Sequence, residues 1–110
     1  MSKDLTACTL LDHYGAVLTE RQRDIAGYYY FDDLSLAEIA ENEGITRQAV
    51  RDIIKRAIQQ LTEMERKLGF AARTRSVADA VSLIREQAQS LTDTNMKNSI
   101  TALCDTVLDM

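Results

Sequence analysis

Six residues between positions 46 and 56 offer the most distinctive chemistry in this sequence: Thr46, Arg47, Gln48, Arg51, Lys55 and Arg56. Arginine can donate two hydrogen bonds to the edge of a guanine and glutamine can pair with adenine, each worth ~1–3 kcal/mol of discrimination between bases. A threonine at a helix start presents its hydroxyl and the neighbouring backbone amides to a phosphate. The spacing puts Arg47, Gln48 and Arg51 at the exposed front of a helix, where side chains reach base edges. Lys55 and Arg56 lie further along and suit backbone phosphates. Asp52, among them, repels phosphate but can accept from a cytosine amine. The set predicts a DNA-binding surface.

Charge distribution supports that assignment more than total charge does. The chain has 13 basic and 17 acidic residues, a formal net charge of −4. Such a balance argues against strong nonspecific nucleic-acid binding, which needs clustered Lys and Arg. Residues 45–56 nonetheless hold four basic side chains against Asp52 alone, a local +3 that leaves −7 for the rest. The bland alternative is an ordinary solvated helix face.

Other chemistries find little support. His13 has no carboxylate or serine partner in a recognisable pattern. Nucleotide-binding glycine loops, metal-ligand clusters and nucleophile–base patterns are missing, so neither enzyme activity nor a cofactor or metal is expected. Cys8 and Cys104 stand near opposite ends without CxxC or Cys/His spacing, which predicts two buried, reduced thiols. No apolar run approaches the ~20 residues needed to cross a bilayer. The segment MSKDLTAC has no apolar signal core and carries Asp4. A cytoplasmic protein away from the membrane is expected.

The elements that must position the six residues are legible around them. In SLAEIAENEGITRQAVRDIIKRAIQQLTEMERK, Ser35 is an N-cap and Glu38 completes a capping box. Leu36, Ile39 and Ala40 share one face, and Gly44 supplies the positive φ of a helix end. Ile45 follows as a buried plug and Thr46 caps the next helix. Val50, Ile53, Ile54, Ala57, Ile58 and Leu61 then form an apolar stripe. Ala40 four residues before Gly44, and Val50 and Ile53 six and nine after it, give the small–Gly–apolar order of a helix-turn-helix. Counting from Thr46 to Gly69, the second helix is ~33 Å long at 1.5 Å per residue, more than a minimal recognition helix needs.

The rest of the chain reads as helix too. It has 45 % apolar residues, no Pro, only four Gly and no alternating strand pattern, so the fold class is all-α. A first helix is expected from Lys3 to Tyr14, with Leu5, Cys8 and Leu11 on one side, Tyr14 a candidate for the same side, and Gly15 ending it. Thr19 and Gln22 make a second capping box. Tyr28, Tyr29, Tyr30 and Phe31 invite a base-stacking reading. Four consecutive helical positions point in four directions, however, so core packing is expected.

Val50, Ile54, Ala57, Leu61, Met64 and Leu68 keep heptad spacing. That seam suits a second chain or helices from residues 71–110. After AARTR as a linker, Ser76 is expected to cap a helix to about Leu91, with Val77, Ala80, Val81, Ile84 and Ala88 as its stripe. A last helix starts at Thr92 or Asp93 and runs through Met96, Ile100, Leu103 and Val107. The domains are thus 1–70, a helix-turn-helix, and 71–110, a helical extension for packing or dimerisation. A homodimer is expected, because such domains often read paired half-sites one DNA turn, ~34 Å, apart.

The run LTERQRDIAGYYYFDDLSLAEIAENEGITRQAVRDIIKRA resembles region 4 of bacterial sigma factors, the helix-turn-helix that reads promoter −35 elements. With DHYG upstream and LTERQ, LSLAEIAE and TRQAV following in one short chain, residues 5–70 resemble more closely the YlxM-like family. These are small helix-turn-helix proteins encoded beside signal recognition particle genes. The resemblance implies a regulatory DNA-binding protein with a part in the signal recognition particle pathway. Its alternative is an adaptor that binds the particle's protein or RNA without reading DNA sequence. The chain has no room for the other domains of a complete sigma factor. Two positions depart from the pattern: Glu43 stands where an apolar residue precedes the turn glycine, and Arg51 where close relatives carry an aromatic.

Overall fold

The computed structural model describes residues 3–110. Six α-helices follow one another: α1 Leu5–Tyr14, α2 Glu20–Tyr30, α3 Leu36–Glu43, α4 Arg47–Leu68, α5 Phe70–Ala88 and α6 Thr94–Leu108, with a 3-10 turn over Gly15–Val17. No strand occurs among the described residues, so the fold is all-α. The chain divides into two compact units, Met1–Ala71 and Ala72–Met110.

In the first unit α4 is the axis, and α1, α2 and α3 all pack on it. Its stripe of Val50, Ile54, Ala57 and Leu61 is buried along the whole packed length. The front half, Val50 and Ile54, meets Ile39 and Ala40 of α3 and Ile25 and Tyr29 of α2. The rear half, Ala57 and Leu61, meets Leu10, Leu11 and Tyr14 of α1 and Ala26 of α2. Ile25, Ile39, Val50, Ile54 and Leu61 are the largest side chains with essentially no exposure. Each contributes ~1.5–3 kcal/mol by leaving water.

Local signals start and stop these helices. Thr19 and Ser35 form complete capping boxes with Gln22 and Glu38. Gly44 ends α3 at φ 67° and Gly69 ends α4 at φ 65°, a left-handed conformation that is strained for other residues. Gly44 donates its N–H to Ala40 O and Glu41 O, and Ile45 bonds Ala40 O at 3.1 Å. Three residues therefore turn the chain from α3 into α4.

Several expectations need correction. Asp4 caps α1, so the helix starts at Leu5 rather than Lys3. Leu5 is 84 % exposed and Cys8 half-buried; the inward face is Ala7, Leu10, Leu11 and Tyr14. One face through Leu11 fits either residue set, and contact with α4 decides between them. Gly15 keeps a right-handed φ of −53°, so the chain runs on into the 3-10 turn that brings Leu18 into the core. The heptad-like seam of α4 is taken up by α1–α3 through Leu61, and Leu68 stays exposed. Over so few turns, a 3.5-residue seam and an ordinary amphipathic stripe have the same spacing.

The aromatic run does pack inward: Tyr29 is buried, Tyr28 and Tyr30 are half-buried, and only Phe31 is mostly exposed. Tyr29 and Tyr30 meet edge to face at 5.0 Å, the arrangement that the ring quadrupoles favour. The two cysteines are free, with Cys104 buried and the Cys8 thiol 3.7 Å from Tyr30 O.

Residues 71–75 are not a linker. α5 begins directly after Gly69, and Ser76 lies inside it. Ala, Arg and Thr hold nothing that breaks a helix, and part of the cap comes from far away in sequence. The Tyr14 hydroxyl donates to Glu65 Oε1 at 2.6 Å and accepts from the Phe70 N–H at 3.0 Å. Ala71 N–H donates to the same Glu65 oxygen at 3.0 Å. The Tyr14 and Phe70 rings stack at 6.1 Å. Two orphan amides at the start of α5 are thus satisfied by side chains of α1 and α4.

In the second unit, α6 starts at Thr94 with Asp93 as its cap. Arg85 pairs with Asp105 at 3.4 Å, and Gln89 Nε2 donates to Thr101 Oγ1 at 3.4 Å. Beyond residue 71 only Ala88 and Cys104 are buried among the apolar residues. The expected inward stripes of both helices, Val77 and Ile84 on α5 and Met96 and Leu103 on α6, are largely exposed.

Candidate nucleic-acid interface

The six basic and polar residues lie on parts of α4 and its cap that packing leaves open. Thr46, Arg47, Gln48, Arg51, Lys55 and Arg56 are all exposed. At about 100° per residue they do not share one line: Arg47 and Arg56, nine positions apart, face about 180° from one another. Arg47, Gln48 and Arg51 come together at the first two turns, whereas Lys55 and Arg56 continue around and along the helix.

The first three line an open groove of ≈ 660 Å³ between the starts of α3 and α4. Its opposite wall holds Lys3, Tyr29, Asp33, Ser35 and Glu38. Lys3 Nζ donates to Asp33 Oδ1 and Leu34 O, both at 2.9 Å, and sits 4.4 Å from the centre of the Tyr29 ring. Asp33 adopts φ 56°, unusual for a residue other than glycine and tolerated best by Asn and Asp. Neither Lys3 nor Asp33 was legible as part of this site, since thirty residues separate them and no local spacing links them.

The starts of α2, α3 and α4 differ. Glu20 and Glu38 place acid in the first turns of α2 and α3, and both helices carry closed capping boxes. α4 has only the Thr46 hydroxyl, which accepts from the Ala49 N–H at 3.0 Å, and no acid in its first turn. No acid of its own first turn compensates the positive end of its dipole, beside which Arg47 and Arg51 stand. Glu38, by contrast, is committed: hydrogen bonds from the Ser35 backbone and then its side chain hold the carboxyl below its ordinary range.

Gln48 Nε2 donates to Asp52 Oδ1 at 3.0 Å. That bond holds the amide in place and leaves its oxygen as the open acceptor. Asp52 therefore shares the surface, as the spacing predicts, with one oxygen engaged by Gln48. Arg51 lies exposed on the groove, and Glu43 is half-buried in a recess with Arg21 and Asp24. No described helix is long and apolar enough to cross a membrane. Among the described residues no three His, Cys, Asp or Glu side chains group so as to hold a metal.

Comparison with known proteins agrees with the helix-turn-helix. Residues 1–101 match the family model UPF0122, "Putative helix-turn-helix protein, YlxM / p13 like". A UPF0122 protein of Desulforamulus reducens is 48 % identical over 79 residues, 68 % of each chain. One from Symbiobacterium thermophilum is 49 % identical over 71 residues, 64 % of this chain and 66 % of its own. One from Clostridium novyi is 40 % identical over 89 residues, 81 % of this chain and 77 % of its own. An α3–turn–α4 unit buried on one side and basic on the other, within a match of that extent, places the chain in a family: it belongs to the UPF0122, YlxM / p13-like, helix-turn-helix proteins.

Proposed function

We propose that the protein is a DNA-binding regulator that reads duplex DNA with the first turns of α4. One observation carries this reading. α4 buries one side completely against α1–α3 and presents Arg47, Gln48 and Arg51 at an N-terminus without its own acid. Arg47 and Arg51 suit guanine edges, Gln48 an adenine edge, and Thr46 with its neighbouring amides a phosphate. Lys55 and Arg56 supply further phosphate contacts. One such helix covers a single half-site, so a specific regulator of this kind acts as two copies on one DNA. The YlxM-like resemblance supports a place in the signal recognition particle pathway.

The test is retention of genomic fragments on the purified protein at near-physiological salt, followed by titration of the recovered site. A recurring short site with two spaced halves is expected. Arg47→Ala with Arg51→Ala should weaken it at least ~30-fold, as the loss of two base contacts requires. An affinity that the double substitution leaves unchanged overturns the assignment to α4. The net charge of −4 favours a second reading, an adaptor that binds the particle's protein or RNA. Retention of no DNA alongside binding to that RNA or its GTPase would select it.

A further inference from the structure

The second unit leaves two apolar seams without a partner. On α5, Val77, Val81, Ile84, Ala88 and Leu91, which lies just past the helix end, step by four and three alternately. On α6, Met96, Ile100, Leu103 and Val107 do the same. Such an apolar stripe asks for a neighbour to cover it. Within the unit each helix gives the other only one edge of its seam. α6 turns Cys104 inward, and Leu103, about 100° away on the helix, points elsewhere. Val77, Ile84, Met96 and Leu103 keep between 45 and 68 % of their surface exposed. Ile84, Ala88, Leu91 and Ile100 line one shallow groove, so the open edges of the two seams lie on the same side of the hairpin.

We infer that this face pairs with a second copy of the chain, two α5–α6 hairpins closing into a four-helix bundle. Three features select a second copy as the occupant. Two apolar stripes on one side of a helical hairpin suit two further amphipathic helices, and a second hairpin supplies them. Size fits: five large side chains at roughly half exposure on each copy remove ~900 Å² of apolar surface, and with the ~65 % apolar share of homodimer interfaces this makes ~1,400 Å², inside the range of stable complexes.

Charge also fits. Residues 72–110 hold four basic and five acidic side chains, net −1, against −3 for residues 1–71. Beside the seams stand Ala78, Ala80, Gln87, Ser99, Cys104 and Thr106, with Lys97 and Arg85 as the charged groups, Arg85 being paired with Asp105. Two copies of an acidic chain can meet here without setting carboxylates against one another.

The pairing does not depend on DNA binding, so a dimer that retains no DNA would leave it standing. Sedimentation equilibrium of the full chain across ~1–100 μM tests it. A dimer is expected, with Leu103→Glu and Ile84→Glu each raising its dissociation constant at least ~30-fold, as for a central interface residue. Leu5→Glu, at a site 84 % exposed in the first unit, should leave it unmoved. The milder Leu103→Ala and Met96→Ala, checked for unchanged helicity, should weaken the dimer in the same direction if the acidic variants fail to fold. A chain monomeric at 100 μM overturns the inference. So does a dimer that none of the α5–α6 substitutions weakens.

Discussion

α4 and α5 are close in length, 22 and 19 residues, and both space apolar side chains at 3.5-residue intervals. Yet α4 buries Val50, Ile54, Ala57 and Leu61, and α5 buries only Ala88. The pattern is the same and the supply of partners is not. Three helices pack on α4, whereas within the second unit α5 has α6 alone. An apolar seam states that a helix needs a neighbour. Which neighbour it gets depends on how many other faces the chain can bring.

The sharpest way to break that comparison is to truncate the same residue type on both helices. Ile54→Ala should cost about 4 kcal/mol in urea unfolding, because α1–α3 leave a cavity that cannot collapse. Ile84→Ala, at protein concentrations low enough for single chains, should fall within about 0.5 kcal/mol of the parent. Equal losses at both sites would show that α5 is as deeply packed as α4.

A smaller effect separates the two helices at their starts. Tyr14→Phe keeps the ring stack on Phe70 but removes the hydroxyl that accepts from its amide and donates to Glu65. Native-state hydrogen exchange at Phe70 and Ala71 should accelerate about tenfold. The amides of Val50 and Ile54 in α4 should keep their protection. Burial first and the Glu65 bond second raise the Tyr14 hydroxyl above its ordinary value of 10.0. This contribution is therefore complete at neutral pH and fades as alkaline pH rises from 10.0 through that raised value.

The smallest effect is acid titration. The hydrogen bond from Arg66 holds the Glu63 carboxyl down to about 2, from an ordinary 4.5. A depressed carboxyl stabilises above its unfolded value and stops doing so as pH falls through the folded one. Thermal midpoints followed by circular dichroism should hold from pH 7 to about 5 and sag slightly between about 4.5 and 2. Both partners are exposed, so the sag should be slight. Glu63→Gln should flatten it, and an undiminished sag in that variant would put its origin elsewhere.

The helix-turn-helix was legible because its signals are local. Ser35 with Glu38, Ala40 with Gly44, and Thr46 ahead of Val50 lie within a turn or two of one another, and the structure places them as expected. The start of α5 was hidden for the opposite reason. Its caps come from Tyr14 and Glu65, and Tyr14 is 56 residues from the amide it accepts. Leu5 failed because a helix with apolar residues at 5, 7, 8, 10 and 11 offers two candidate faces, and only the position of α4 decides. In the groove, Arg47, Gln48 and Arg51 were legible from spacing. Lys3 reaches Asp33 through a tertiary contact that no spacing encodes.

The bare first turn of α4 has one more consequence. A Glu at the position of Ala49, matching Glu38 in α3, would close a capping box on Thr46 and steady the helix. It would also set a negative charge where the proposed phosphate binds. The sequence forgoes a gain in robustness that it takes at two neighbouring helices. Selection for thermal endurance alone would therefore drive this protein toward losing the partner proposed for it, and a stabilised version is better engineered elsewhere.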